Sequence, residues 1–234
     1  ADGRPVNALL GAANLILRVV DDHKPRAVVV CFGQEAAHYR KEAYEPYHAA
    51  RPELDPDLAH QYTLMHDWLR SFGWTVDLSP DLEADDLLAS YAEAETAKSG
   101  RAIIMTGDRD MFQCAREDVD VLYVSTGKNM QLIGPKEVEE RYGIAPELVP
   151  DFIALRGDPS DGIPGAKGVG EKTAADLLQR HGSLEGAIAK PTAERSRVAA
   201  ALRDGCDELR AFQDIAAPAA VGVAAPPDRR ADSP

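Results

Sequence analysis

Short apolar runs rich in β-branched residues, separated by helical stretches, constrain this chain more than any other feature. Ala27–Phe32 (AVVVCF) follows Lys24-Pro25 and stops at Gly33, and Arg101–Thr106 (RAIIMT) stops at Gly107. Val119–Val124 (VDVLYV) is a third such run and Trp74–Leu78 a fourth. Runs of this length and composition, bounded by turn residues, read as buried strands. Between them, helical periodicity covers Asn7–Val20, Asp57–Phe72 and Glu83–Lys98. That alternation predicts an α/β class with a mostly parallel central sheet flanked by helices. From Gly134 the character changes. Pro135–Tyr142, Pro146–Arg156, Glu171–His181 and Leu184–Ala189 read as short helices joined by Gly- and Pro-containing turns. The expected organisation is an α/β core over 1–134, an all-helical domain over 135–215, and an Ala/Pro-rich tail over 216–234 read as a linker or frayed end.

Composition narrows the function. Hydrophobic residues make up 44% and charged residues 28% of 234 residues, the profile of a soluble globular protein. No apolar run approaches the roughly 20 residues that span a bilayer, and the opening Ala1-Asp2-Gly3-Arg4-Pro5 lacks a signal peptide's layout. Cys31, Cys114 and Cys206 are too few and too far apart for a disulfide framework or a zinc cluster. A reducing cytoplasm is the expected location. The net charge of −13 argues against a nucleic-acid binder, whose footprint is usually basic. Bound cations would reverse that local field, so the placement of the acids matters more than their sum.

The acids gather in three polar turns. Glu83, Asp85 and Asp86 open a predicted helix, where acids also favour the helix dipole. Asp108 and Asp110 directly follow a strand, in a place that suits turn formers and also the ligand-binding carboxyl ends of parallel strands. Asp158 and Asp161 lie in Gly157-Asp158-Pro159-Ser160-Asp161-Gly162, again readable as turn chemistry. Each group alone is weak. Brought together, the seven would repel unless divalent cations were bound. Oxygen-only ligands with no His or Cys favour Mg²⁺ or Mn²⁺, and a pair of such ions suits phosphoryl chemistry.

Ile163–Ala174 (IPGAKGVGEKTA) is the most specific segment. Gly165, Gly168 and Gly170 let a tight turn approach a ligand closely, and the helical run from Glu171 follows at once. A glycine-rich turn opening a helix presents N–H groups to phosphate; Lys167 and Lys172 add charge without base specificity. A plain interhelical loop is one alternative. A nucleotide loop is another, but the G-x-x-x-x-G-K-[ST] frame is unmatched and no strand precedes it. The spacing looks instead like a helix–hairpin–helix that grips a DNA backbone.

Taken together, LEADDLL (82–88), IMTGDRDMFQ (103–112) and FIALRGDPSDGIPGAKGVGEKTAADLL (152–178), linked by GPKEVEERYGIAPELVPDF (134–152), resemble the 5′→3′ exonuclease domain of bacterial DNA polymerase I and its stand-alone flap endonuclease relatives. The resemblance covers most of residues 1–190. It implies a PIN-like nuclease core with a C-terminal helix–hairpin–helix domain, and metal-ligand roles for Glu83, Asp85, Asp86, Asp108, Asp110, Asp158 and Asp161. It implies a helical arch over about 34–51, with Arg40 and Arg51 on the scissile phosphate, Tyr47 stacked on an unpaired base and His48 beside them; ordinary packing is the competing reading for Tyr39 and Tyr47. At the hairpin it implies duplex binding by Gly165, Lys167, Gly168, Gly170, Lys172 and Thr173, with a monovalent cation such as K⁺.

The chain departs from the family pattern in three places. The family's first ligand Asp lies on an opening strand that is absent, so the sequence reads as a fragment beginning late. Gly33 stands where an Asp ligand should follow the first apolar run, and His48 stands where the arch usually has Lys. The function expected is a divalent-metal-dependent 5′→3′ exonuclease and 5′-flap endonuclease with two ions. It would act on DNA 5′ ends, flaps or nicks in replication or repair, as a monomer beside a polymerase of the same pathway. The competing readings are a DNA-structure binding module with weakened catalysis and, further off, a small-molecule phosphohydrolase. The last gives no role to the hairpin or to Arg40 and Arg51.

Overall fold

The β-branched runs become strands that pair side by side and pack against helices, with Leu78 and Ile103 left exposed. In the computed structural model, which describes residues 3–125, 129–191 and 195–228, β1 (Val29–Phe32) pairs in parallel with β2 (Thr75–Leu78). β3 (Ala102–Thr106) pairs in parallel with β4 (Val119–Val124). β5 (Met130–Ile133) closes that second sheet in antiparallel fashion against β4. The strands thus lie in two pieces, ordered β1-β2 and β3-β4-β5. β5 has no counterpart among the expected strands. It is a four-residue edge strand with two exposed residues, Gln131 and Leu132, too short and too mixed to show period-two alternation.

Helices α1 (Asn7–His23), α2 (His38–Ala43), α3 (Pro56–Arg70) and α4 (Ala84–Thr96) belong to the α/β half. α1 and α3 cover the smaller sheet through Leu9, Val20, Met65 and Leu69, joined by Trp74 just before β2. The first turn of α1 takes its hydrogen-bond acceptor from α3, because buried Gln61 Oε1 accepts from the Ala8 and Leu9 amides at 2.8 and 3.4 Å. α3 starts with Asp55 accepting from the amides of Asp57 and Leu58, with Pro56 in its first turn. α4 packs on both β1 and β3 and so joins the two sheet pieces.

The second half is helical, as its composition predicts: α5 (Pro135–Tyr142), α6 (Val149–Arg156), α7 (Glu171–His181), α8 (Leu184–Ala189), α9 (Ser196–Asp204) and α10 (Cys206–Ala216). α6 is buried almost throughout and is wrapped by α7, α8 and α10. Its one buried acid, Asp151, accepts from the Leu184 amide at 2.7 Å and from the Gln213 side chain, tying α8 and α10 to α6. A single large core runs from Ile104 and Val121 in the sheet to Leu202, Phe212 and Ile215 in the last helices.

Residues 217–228 carry no regular structure, yet they are tied down. The Ala219 amide donates to Asp86 at 2.7 Å, the Val221 amide to Ser90 at 3.1 Å, and Arg26 donates to the Pro226 carbonyl at 2.9 Å. The segment therefore lies along α4 and back toward the start of β1. No helix among the described residues is long and apolar enough to cross a membrane.

Candidate active site

The carboxyl ends of β1 and β3, the start of α4 and the turn after α6 converge on one acidic region. Glu83 is the N-cap of α4 in extended backbone, and Asp86 Oδ2 accepts from the Glu83 amide at 3.0 Å in a capping box. That is the helix-start role which residue type and position allow. Both carboxylates are buried, and so is the side chain that reaches them. Arg40, on α2, is 1% exposed. Its Nη1 lies 2.6 Å from Glu83 Oε2, and its Nη2 lies 2.9 Å from Asp85 Oδ2 and 3.0 Å from Asp86 Oδ1. The Ala37 amide donates to Glu83 Oε1 at 2.7 Å, Tyr47 Oη to Glu83 Oε2 at 3.1 Å, and Tyr39 Oη to Asp86 at 2.9 Å. Burial raises the Glu83 carboxyl above its ordinary value despite the Arg40 charge beside it.

These contacts describe Tyr47 and Arg40, two residues of the expected arch. Tyr47 is 3% exposed, with its ring stacked on His48 at a 3.8 Å centroid distance. Arg40 is turned inward onto the acids and not outward toward a phosphate. Only α2 in the arch segment is helical; residues 44–51 fold as turns against the acidic region.

The other four acids form the second group. Asp108 follows β3, its amide held by Thr106 Oγ1 at 3.0 Å, and its Oδ1 accepts from the Asp110 amide at 2.9 Å. Asp158 and Asp161 lie in a turn closed by paired 2.8 Å bonds between Asp158 and Ile163. Burial, then the charges of Asp108, Asp158 and Asp161, push Asp110 well above the usual carboxylate range. Asp108 is also raised, first by the surrounding protein and then by Asp161, Asp85 and Asp158, although it keeps an exposed edge that screens the effect. Asp161 goes the other way. Burial would raise it, but the hydrogen bond from His48 and the charges of His48 and Arg51 hold it below its ordinary value. His48 Nε2 is 2.9 Å and Arg51 Nη2 3.1 Å from Asp161 Oδ1, and the His48 amide donates to the Asp161 carbonyl at 3.0 Å. His48 adopts φ +58°, held by that bond and by a ring contact to the Glu35 carbonyl. Among the described residues, no three His, Cys, Asp or Glu side chains close on one point as a metal shell.

Gly33 is a packing residue. A Cβ there would collide with the Leu82 carbonyl oxygen and lie 2.5 Å from the Glu83 carbonyl carbon. The Gln34 amide also donates to Leu82 O at 2.7 Å, so β1 ends docked on the turn that presents the acids. The hairpin has a buried and an exposed side. Ile163, Ala166 and Val169 are buried beneath it, while Lys167, Gly168, Gly170 and Lys172 are exposed and Thr173 half-buried. The Ala166 amide donates to Leu155 O at 2.8 Å, seating the turn on α6. Sequence reasoning missed two neighbours. Arg197 of α9 lies against Gly168 and shares with Lys167 a cavity of about 600 Å³, and the Ala219 amide reaches Asp86. The apolar spacing Val198, Ala199, Leu202 signals α9; nothing in the sequence signals Ala219.

A family model described as the 5′-3′ exonuclease N-terminal resolvase-like domain matches residues 1–143, and one described as the 5′-3′ exonuclease C-terminal SAM fold matches residues 144–219. The chain belongs to the 5′-3′ exonuclease family. It is 37% identical over 202 residues to a DNA polymerase I of Mycobacterium bovis, an alignment covering 86% of this chain and 22% of that protein. It is 36% identical over 223 residues to a 5′-3′ exonuclease of Mycobacterium tuberculosis, covering 86% of this chain and 70% of that one. The chain thus spans about a fifth of the polymerase relatives it matches. In fold, this exonuclease-family chain matches a bacteriophage T5 flap endonuclease solved with DNA and metal ions, at TM-score 0.74 and 17% identity, over 92% of this chain and 81% of the other.

Proposed function

We propose that the chain is a divalent-metal-dependent 5′→3′ exonuclease and 5′-flap endonuclease that hydrolyses DNA phosphodiesters in replication or repair. The observation that carries this reading is the gathering of Asp108, Asp158 and Asp161 around Asp110, next to the Asp158–Ile163 turn, within a chain of the 5′-3′ exonuclease family. The donor set fits a hard cation. It is all oxygen, and Asp110 is pushed up first by burial and then by the charges of Asp108, Asp158 and Asp161, which Arg156 opposes. Mg²⁺ or Mn²⁺ is proposed there; Glu83 and Asp85 would fit a second ion, with Arg40 balancing one of the three negative charges of Glu83, Asp85 and Asp86. The ion would supply charge stabilisation and a water of lowered pKa. Asp108, Asp110 and Asp158 would hold it. Arg51, with its side chain 43% exposed, and His48 would steady the substrate phosphate beside Asp161. The hairpin, through Gly165, Lys167, Gly168, Gly170, Lys172 and Thr173, would track the duplex backbone, with K⁺ among its carbonyls.

DNA with a 5′ end, flap or nick is the proposed substrate, and a cytoplasmic monomer working beside a polymerase the proposed setting. A DNA-bound fold neighbour supports the choice of DNA, and a polymerase I relative the choice of a polymerase partner. Gly33 and the partly balanced, Arg40-paired trio favour one second reading, a DNA-structure binder with weakened catalysis. Cleavage of a labelled 5′-flap duplex in Mg²⁺ and Mn²⁺, with Asp110→Asn as control, decides between them. Metal-dependent cutting that the control lacks is the expected result. Tight flap binding by folded protein with no cutting at any metal concentration would leave only the binder.

A further inference from the structure

The surroundings of Arg40 assign it a role different from that of Arg51. Its side chain is 1% exposed and both Nη groups are engaged by three carboxylates, whereas Arg51 is 43% exposed and holds Asp161 alone. The Arg40 guanidinium also lies 5.3 Å from the Tyr39 ring centroid and 6.0 Å from that of Tyr47. To meet a phosphate it would have to leave Glu83 and Asp86, both buried, without a counter-charge. Asp86 is as fully used. Its Oδ1 accepts from Arg40, from Tyr39 Oη and from the Ala219 amide, and its Oδ2 accepts from Tyr39 Oη and the Glu83 amide. Ser90 extends the network, donating to the Asp86 carbonyl at 2.7 Å and accepting from the Val221 amide. Arch, helix start and C-terminal segment therefore meet at one ion pair.

We infer that Arg40 is a positioning residue, the internal counter-cation that fixes Glu83, Asp85 and Asp86 against the arch, and that Asp86 serves it as an anchor and not as a metal ligand. The inference rests on the DNA-cutting, metal-dependent reading for what is being positioned. A planar guanidinium with two donor arms spans three carboxylates; a lysine ammonium, a single point charge, does not.

Flap-DNA binding in EDTA as a function of salt separates the two roles. A phosphate contact contributes about 0.9 to the slope of log K against log salt. Arg51→Gln is expected to lower the slope by about that amount, and Arg40→Gln to leave it at the wild-type value. Mn²⁺ binding followed by electron paramagnetic resonance is expected to weaken roughly 10–100-fold in Arg40→Lys, the size typical of lost supporting partners. Thermal unfolding of Arg40→Met, Asp86→Asn and the double variant is expected to be non-additive, the double losing no more than the worse single. A slope loss in Arg40→Gln equal to that of Arg51→Gln, wild-type Mn²⁺ affinity in Arg40→Lys, or additive unfolding losses would each overturn the inference. If Arg40→Gln does not fold, Arg40→Lys and the unfolding cycle decide. Absence of flap binding by the wild type would count against the proposed function, and the unfolding cycle would still judge the ion pair.

Discussion

Gly165 is where the glycine-rich hairpin is pressed against the acidic turn, and its replacement by alanine tests that contact. The residue has φ +68°, and a Cβ there would collide with the Gly157 amide nitrogen and lie 2.6 Å from the Arg156 carbonyl carbon. Two costs add. A left-handed conformation costs a non-glycine residue about 1–2 kcal/mol, and forcing atoms into a packed backbone contact costs about 1–3 kcal/mol. The sum, about 2–5 kcal/mol, corresponds to a melting-temperature loss of roughly 4–20 °C at this chain length. Gly182 supplies the control. It ends α7 with φ +79°, and a Cβ there would have no atom within 4 Å, so Gly182→Ala carries only the conformational cost. Gly170→Ala carries neither, since its φ is −106° and its surroundings are open. Thermal unfolding by circular dichroism should rank the variants Gly170→Ala, Gly182→Ala, Gly165→Ala in order of increasing loss. If Gly165→Ala melts no lower than Gly182→Ala, the hairpin does not bear on the 156–157 backbone and the coupling of grip to acids is wrong.

Two further variants probe the charge and the helix start. Burial and three neighbouring aspartates raise Asp110 above its unfolded value, so the native state holds more protons across that interval; the associated stability is present below the ordinary carboxylate value and is lost as pH rises through the raised one. Asp110→Asn should therefore melt higher than wild type in EDTA at neutral pH, with the gain vanishing in acid; a gain that instead grows in acid contradicts the assignment. Wild type should gain about 2.7 kcal/mol from Mg²⁺ at a hundred times its Kd, and Asp110→Asn much less, by the same melts. Gln61→Leu removes the acceptor for the Ala8 and Leu9 amides at the start of α1. A loss of about 1–3 kcal/mol is expected in urea unfolding, while Gln61→Glu, which keeps the acceptor, should lose less.

What the sequence made legible follows from length scales. β4, α5, α7 and α8 fall on their expected bounds because each has a local signal: a β-branched run, a proline at the helix start, or a C-terminal glycine such as Gly143 and Gly182. β5 and α2 are too short for periodicity to register, and their place is set by β4 and by the acids that α2 faces. The acidic turns were legible as a set, but their division was not. Whether a carboxylate faces other acids or an arginine depends on where α2 sits, forty-odd residues upstream of α4. The direction of Arg40 and the burial of Tyr47 are tertiary facts of that kind, and so is the amide of Ala219 on Asp86.

Gly33 and Arg40 bear on the same pocket. β1 ends against the Leu82–Ala84 turn so closely that the space a side chain at position 33 would need is filled by backbone. That contact sets the height of Glu83 and the start of α4, and hence the place where Arg40 meets Glu83, Asp85 and Asp86. A carboxylate at position 33 would bring a fourth acid toward a group whose three charges a single guanidinium already balances only in part. Its absence leaves that trio with one guanidinium against three carboxylates. Unbalanced charge also lies at Asp108 and Asp110, since Asp161 has His48 and Arg51 and Asp158 has Arg156. A cation drawn to this protein by Coulomb attraction therefore meets acids both at the start of α4 and at the end of β3, the latter next to Arg51, whose side chain is 43% exposed.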